Sequence, residues 1–279
     1  MGVLLKGKHI AHHIETFCQS FLQKASLSPG LGILRIGHNP ASIIYIERKR
    51  LSALRMGFYL EETALEETAT PSSIIQQIQS WNQNPHIHGI LIQLPLPFPH
   101  KAADYIQQIH PLKDVDGLRP CSPFTPCTPL GCLLLLKAYA IPLKSARCVV
   151  VGRSFLVGRP LALLLLDHDA TVTIAHRHTQ ALPDVTRHAD IVCAAIGQPG
   201  FITQDYLSSQ ATVIDIGIHK TAIGTIVGDV LPDVNVAFKT PVPGGVGPMT
   251  IACLMWNVVR ATLLEKAPTQ EDLIDSFHA

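Results

Sequence analysis

The sequence predicts two α/β domains, each built on a mainly parallel sheet. Three observations carry that prediction. Apolar strands alternate with amphipathic helices through both halves of the chain. A segment with four prolines and two cysteines, Pro120–Pro129, breaks the alternation between them. Several strands run into glycine turns at their C-terminal ends, where parallel sheets bind their ligands.

In chain order, apolar residues at helical spacing predict a helix from about Gly7 to Ala25, then a strand Leu31–Ile36. A helix Ala41–Met56 and a strand near Phe58–Glu62 follow. Ser72–Asn84 reads as a helix with a serine cap, and Gly89–Leu94 as a buried strand. The second half repeats the pattern: strand Arg147–Val151, helix Pro160–Asp167, then strands Thr171–Ala175, Ile191–Ala195 and Thr212–Ile216, with a short strand near Ile226–Val230. The chain closes with the loop Thr240-Pro-Val-Pro-Gly-Gly-Val-Gly-Pro-Met-Thr250 and an apolar helix beginning near Met249. Prolines fix φ and glycines admit close approach, so this loop reads either as a ligand-shaped wall or as a tight connection.

Composition narrows the class. With 279 residues, 47% of them hydrophobic, the chain can core one large domain or two ordinary ones. Lys and Arg number 22 against 21 acids, so no overall field recruits nucleic acid or an anionic membrane. Neither partner is expected. Seven cysteines form no C-x-x-C pair, which fits a reducing cytoplasm. No apolar run is expected to span a bilayer, and the first residues have too short an apolar stretch for a signal peptide. Fourteen histidines lack any ligand pattern such as H-E-x-x-H, so no metal is expected.

In the second half, strand Cys148–Val151 enters Gly152-Arg-Ser-Phe-Leu-Val-Gly158 and a helix with Pro160 in its first turn. This is the form of a phosphate-binding corner, although Ser154 stands at the middle glycine position of G-x-G-x-x-G. The next strand ends in His176-Arg177-His178, with no acid at its tip. An acid there suits the ribose hydroxyls of NAD, whereas the Arg177 guanidinium suits the 2′-phosphate of NADP. Two further glycine turns follow strands, at Ala195–Gly200 and Asp215–Ile218. A dinucleotide site is expected, with NADP favoured.

In the first half, Tyr45 and Lys49 lie four residues apart on one helix face. They form a proton-handling pair if the site is dry, or a stretch of ordinary basic surface, since Arg48, Lys49 and Arg50 are consecutive. Gln93 is the sole polar residue of an apolar strand and needs partners. The turn Lys113-Asp-Val-Asp116-Gly offers two acids, one to cap the turn and one to hold a donor-bearing heterocycle.

The strings Y-I-E-R-K, G-I-L-I-Q-L-P-L-P, K-D-V-D-G, P-C-T-P, V-V-G-R-S-x-x-V-G-R-P, G-D-V and T-P-V-P-G-G-V-G-P-M-T occur in that order. The chain thereby resembles the bifunctional methylenetetrahydrofolate dehydrogenase/methenyltetrahydrofolate cyclohydrolase family over essentially its whole length. The resemblance implies an N-terminal α/β catalytic domain, residues 1–122, completed by a returning C-terminal helix, 249–279. It implies a Rossmann-type NADP domain over 123–248. It gives Lys49 the proton chemistry, places Tyr45 near the pterin, has Gln93 orient the lysine and has Asp116 hold the pterin edge. Ile92, Leu94, Pro243, Gly244, Gly245, Val246 and Gly247 would border the substrate, while Gly152, Arg153, Ser154, Arg177 and Ile218 would contact NADP. Tetrahydrofolate derivatives and a second copy of the chain are the implied partners.

Two departures stand out. The segment Leu118–Thr125 is shorter than the family's, and His219 stands where the family has Asn. The rival functions are a shikimate-type dehydrogenase and a non-catalytic folate- or nucleotide-binding protein.

Overall fold

The computed structural model describes residues 2–222 and 224–266. The expected helix segment 267–279 lies outside the described residues. The chain divides into two compact units. One holds residues 13–127 and 251–266; the other holds 2–12 and 128–250.

The first unit is built on a three-stranded parallel sheet in which Gly30–Ile36 lies between Tyr59–Leu65 and Gly89–Ile92. The central strand is buried at every position but Arg35, which explains why the rest of it carries only glycine and aliphatic residues. Leu34, Ile36, Ile90 and Ile92 pack with Ile74, Ile78 and Trp81 of the helix Pro71–Gln83. That helix is capped by Thr70, not by Ser72 as expected. The Thr70 hydroxyl accepts the N–H of Ser73, and Pro71 fills the first helical position, where no N–H is needed.

The second unit carries a six-stranded parallel sheet. Starting from Arg147–Val151, its neighbours are Thr171–Ala175 on one side and Ile191–Ala194 on the other. Thr212–Asp215 and Phe238–Lys239 follow, and the N-terminal Val3–Leu4 adds the edge strand. The order therefore reverses beside Arg147–Val151, and a crevice opens outside the carboxyl ends of its strands at that point. A small antiparallel pair, His219–Lys220 with Ile226–Val227, stands apart from the sheet.

Two expectations change. The helix Cys127–Ala138 begins inside the segment read as a linker, and Pro129 sits in its first turn, where proline is tolerated. Among the described residues, the helix Val246–Lys266 is long and apolar enough to cross a membrane by length and composition, against the expectation of no such run. Its most apolar window is 67% buried, as in the core helix of a folded domain.

Candidate functional site

In the first unit, the helix Pro40–Arg55 resolves the basic run. Arg48 is exposed, and Arg50 forms a double hydrogen bond with Glu47 at 2.8 Å. Lys49 is instead buried, at 8% exposure, and its Nζ donates to Gln93 Oε1 at 3.0 Å. Burial lowers the Lys49 pKa, while the nearby Asp116 and Cys127 oppose that shift. An amine in this setting exchanges a proton more readily than a surface lysine.

Gln93 follows the last residue of the strand Gly89–Ile92. Its backbone N–H extends the ladder to Leu34 O at 2.8 Å, and its Nε2 donates to Leu94 O at 2.7 Å. With both ends engaged, the amide presents Oε1 to the lysine in one orientation. Ile92 is buried beside it and Leu94 half-buried. Tyr45 lies one turn before Lys49, half-buried, and burial raises its pKa.

The two acids of the Lys113–Gly117 turn have different surroundings. Asp114 is buried, and its Oδ2 accepts the N–H of Arg119 at 2.8 Å. Desolvation pushes its pKa up to about 6. Asp114 is the turn-capping acid. Asp116 is only half-buried and accepts no backbone N–H among the described contacts; its carboxylate lies close to the Lys49 ammonium and the Cys127 thiol. Lys113 is structural, because its Nζ donates to the carbonyls of Trp81 and Asn84.

Sequence reasoning missed Asn257. It is fully buried, and its Nδ2 donates to Val115 O at 2.9 Å and Thr125 O at 3.0 Å. It thus ties the peptide preceding Asp116 to the end of the segment Leu118–Thr125. The only signal was a lone amide in an apolar helix, the same signal that marked Gln93.

In the second unit, a cavity of about 560 Å³ lies at the sheet's switch point. Gly152, Arg153 and Ser154 line one side, Ala195, Ile196 and Gln198 another, with His176 and Arg177 between. A Cβ at Gly152, whose φ is +127°, would run into Ala195 O, so only glycine closes this corner. Ser154 replaces the middle glycine for a visible reason. Its Oγ accepts the N–H groups of Val157 and Gly158, at 3.2 and 3.3 Å, which gives partners to donors at the start of the helix Gly158–Leu166, whose N-cap residue Val157 makes no side-chain cap. Arg153 and Arg177 are exposed at the rim, and Arg177 Nε donates to His178 Nε2. A backbone corner with cationic side chains and no lining acid fits an anionic dinucleotide. Ile218 is exposed in the same unit, and its side chain meets the position of a Cβ on Gly247.

The remaining predicted residues, Pro243 to Gly247, also belong to this unit. The Val242–Pro243 bond is cis. Gly244 O accepts the N–H of Gly7, and Gly245 N–H donates to Pro241 O, so the loop is held by its own backbone. The structure therefore groups Tyr45, Lys49, Ile92, Gln93, Leu94 and Asp116 in one unit, and Gly152, Arg153, Ser154, Arg177, Ile218 and Pro243–Gly247 in the other.

Residues 5–116 match the family model for the catalytic domain of tetrahydrofolate dehydrogenase/cyclohydrolase, and residues 126–266 match that for its NAD(P)-binding domain. The bifunctional protein FolD of Streptococcus mutans is 40% identical over 280 residues, covering 94% of this chain and 98% of that protein. The crystal structure of FolD, a bifunctional methylenetetrahydrofolate dehydrogenase/cyclohydrolase from Campylobacter jejuni, superposes with a TM-score of 0.91 at 36% identity, over 95% of this chain and 100% of that one. The Trypanosoma brucei FolD complexed with NADP and an inhibitor gives 0.90 at 30% identity, over 95% and 99%.

Proposed function

This chain belongs to the tetrahydrofolate dehydrogenase/cyclohydrolase family, and we propose on that premise that it oxidises 5,10-methylenetetrahydrofolate with NADP and then hydrolyses the 5,10-methenyl product to 10-formyltetrahydrofolate. The observation that carries the reading is the buried Lys49 amine, held by Gln93 at 3.0 Å.

The chemistry supplied by a bound nicotinamide is acceptance of a hydride from the one-carbon bridge. Gly152, Arg153, Ser154, Arg177 and Ile218 would hold the dinucleotide, with Arg177 on the 2′-phosphate. The protein's part in oxidation is positioning and exclusion of water. Hydrolysis asks for more. Water adds to the methenyl carbon and one proton is released. Opening the ring then requires the carbinol oxygen to lose a proton and the departing ring nitrogen to gain one. Lys49, with its pKa lowered by burial, can take the first proton and deliver the second. Gln93 keeps Nζ directed, and Tyr45 provides a flat face for the pterin. The Asp116 carboxylate accepts from the amino-pyrimidinone edge, while Ile92, Leu94 and Pro243–Gly247 border the substrate.

In this reading residues 1–122 with 249–279 bind folate and residues 123–248 bind NADP. The protein works as a cytoplasmic homodimer, independent of nucleic acid and membrane. A spectrophotometric assay with methylenetetrahydrofolate and either dinucleotide tests the whole. Turnover with NADP, with methenyl formation and decay, is the expected result. No turnover with either dinucleotide would overturn it.

A further inference from the structure

The G-D-V string and the Asp215–Ile218 turn meet in a network of two buried carboxylates. Asp215 ends the strand Thr212–Asp215, and Asp229 follows the strand Ile226–Val227; they are 5% and 0% exposed. Carboxylates so buried need donors on every side. Asp215 Oδ1 accepts the N–H groups of Gly217 at 3.0 Å and Asp229 at 2.9 Å, and its Oδ2 accepts that of Val230 at 3.0 Å. Asp229 Oδ2 accepts the N–H groups of Ile196 at 2.6 Å and Gly197 at 3.0 Å. Its other oxygen meets His219 Nε2 at 2.7 Å. The glycines make room for this: a Cβ on Gly228 would strike the Asp215 carboxylate, and one on Gly217 that of Asp229.

The network reaches two places assigned above to the dinucleotide. Ile196 lies in the turn that walls the cavity opposite Gly152–Ser154, although Asp229 itself does not line that cavity. Ile218 sits between Gly217, whose N–H is held by Asp215, and His219, which is held by Asp229. Because Asp229 consumes both N–H groups of the 196–197 turn, the turn gives the cavity its shape and not a pair of amide donors. We infer that Asp229, backed by Asp215 and flanked by His219, is a positioning residue for dinucleotide binding, fixing the Ile196–Gly197 wall and Ile218 together. The inference rests on the NADP reading of this cavity.

The test is NADP binding to the full chain by calorimetry, paired with steady-state kinetics. Asp229→Ala removes the acceptor, while Asp229→Glu keeps the charge but pushes the turn outward by a methylene. Each hydrogen bond to a charged acceptor is worth about tenfold or more in an equilibrium constant, and Asp229 Oδ2 holds two backbone N–H groups of this turn. Both variants are expected to raise the NADP Kd and KM at least about tenfold, with kcat at saturating NADP changed less than about threefold. Asp229→Asn retains one acceptor for the turn and an amide for His219, so it should restore most of the affinity. Hydrolysis of methenyltetrahydrofolate, which needs no dinucleotide, reports whether each variant is folded. If Asp229→Ala does not fold, Asp229→Glu decides. Wild-type NADP affinity in a folded Asp229→Glu would overturn the inference. Failure of the wild-type protein to bind any dinucleotide would instead overturn the reading beneath it.

Discussion

Replacing Lys49 by Met separates the two proposed activities, because only one needs a proton at that position. The substitution preserves the buried stem and deletes the ammonium that donates to Gln93 Oε1. Loss of a positioned acid–base group costs about 10²–10⁴-fold in rate, or about 3–5 kcal/mol of barrier at about 1.4 kcal/mol per tenfold. Two structural effects oppose each other. Gln93 Oε1 is left unpartnered, at about 1–3 kcal/mol, while its Nε2 keeps Leu94 O. Against that, a buried cation is removed. The folded-state pKa of Lys49 lies below its unfolded value, so the unfolded chain binds that proton more tightly. The ammonium's destabilisation is therefore full below the folded pKa and disappears as pH rises towards the ordinary lysine value. The stability of Lys49→Met relative to wild type should fall over that window. In the assay, methenyltetrahydrofolate supplied directly should be hydrolysed at least about 10²-fold more slowly. Methylenetetrahydrofolate should still be oxidised, with methenyl accumulating. Gln93→Ala should give a milder loss. Wild-type hydrolysis by a folded Lys49→Met protein would refute the role given to Lys49.

Arg177→Ala should raise the KM for NADP far more than that for NAD, since the exposed guanidinium at the cavity rim is matched to a 2′-phosphate; equal effects on both dinucleotides would remove Arg177 from that role. Asp116→Asn keeps shape but replaces an acceptor with a donor, weakening folate binding by about 1–3 kcal/mol and lowering both activities together; unchanged folate affinity by calorimetry would sink the assignment. Asp114, raised from 3.8 to about 6 by burial, is held more favourably protonated when folded, so its contribution to stability falls as pH rises between those values. Asp114→Asn should therefore be more stable than wild type at pH 7, by up to about 3 kcal/mol at about 1.4 per unit, with the gain vanishing near pH 4. Denaturant unfolding followed by fluorescence of the buried Trp81 measures it, and a pH-independent difference would contradict the account.

Most of the longer strands and helices were legible because their signals are local, whereas the two-residue strands Val3–Leu4 and Phe238–Lys239 were not expected. The helix Gly7–Ala25 and the strands Arg147–Val151 and Thr171–Ala175 have the expected bounds, although only Arg147–Val151 of the two strands is buried nearly throughout. Caps were less legible, because Thr70 and Ser72 are chemically equivalent and only the backbone decides which hydroxyl meets an orphan N–H. The helix Cys127–Ala138 was hidden by the prolines around its start, which read as a break although one of them is a first-turn residue.

The polar residues divide differently. A run such as Arg48-Lys49-Arg50 looks uniform in one dimension, yet Arg50 finds Glu47 three residues away while Lys49 finds Gln93 at a distance of 44. The surface pair could be read from helix spacing; the buried pair needed the sheet to bring a second helix–strand unit alongside. Asn257 and Asp229 extend this rule, since both act on backbone groups, the first on the carbonyls of Val115 and Thr125 and the second on the N–H groups of Ile196 and Gly197. Every residue but proline has both groups, so nothing in the sequence marks the partner. What the sequence does show is a lone acid or amide where the surrounding pattern demands an apolar residue. Burial without a partner would cost such a group several kcal/mol, about 2–7 by transfer, so its place in an apolar pattern by itself implies a partner. Gln93 was found by that argument, and Asn257 satisfied the same condition.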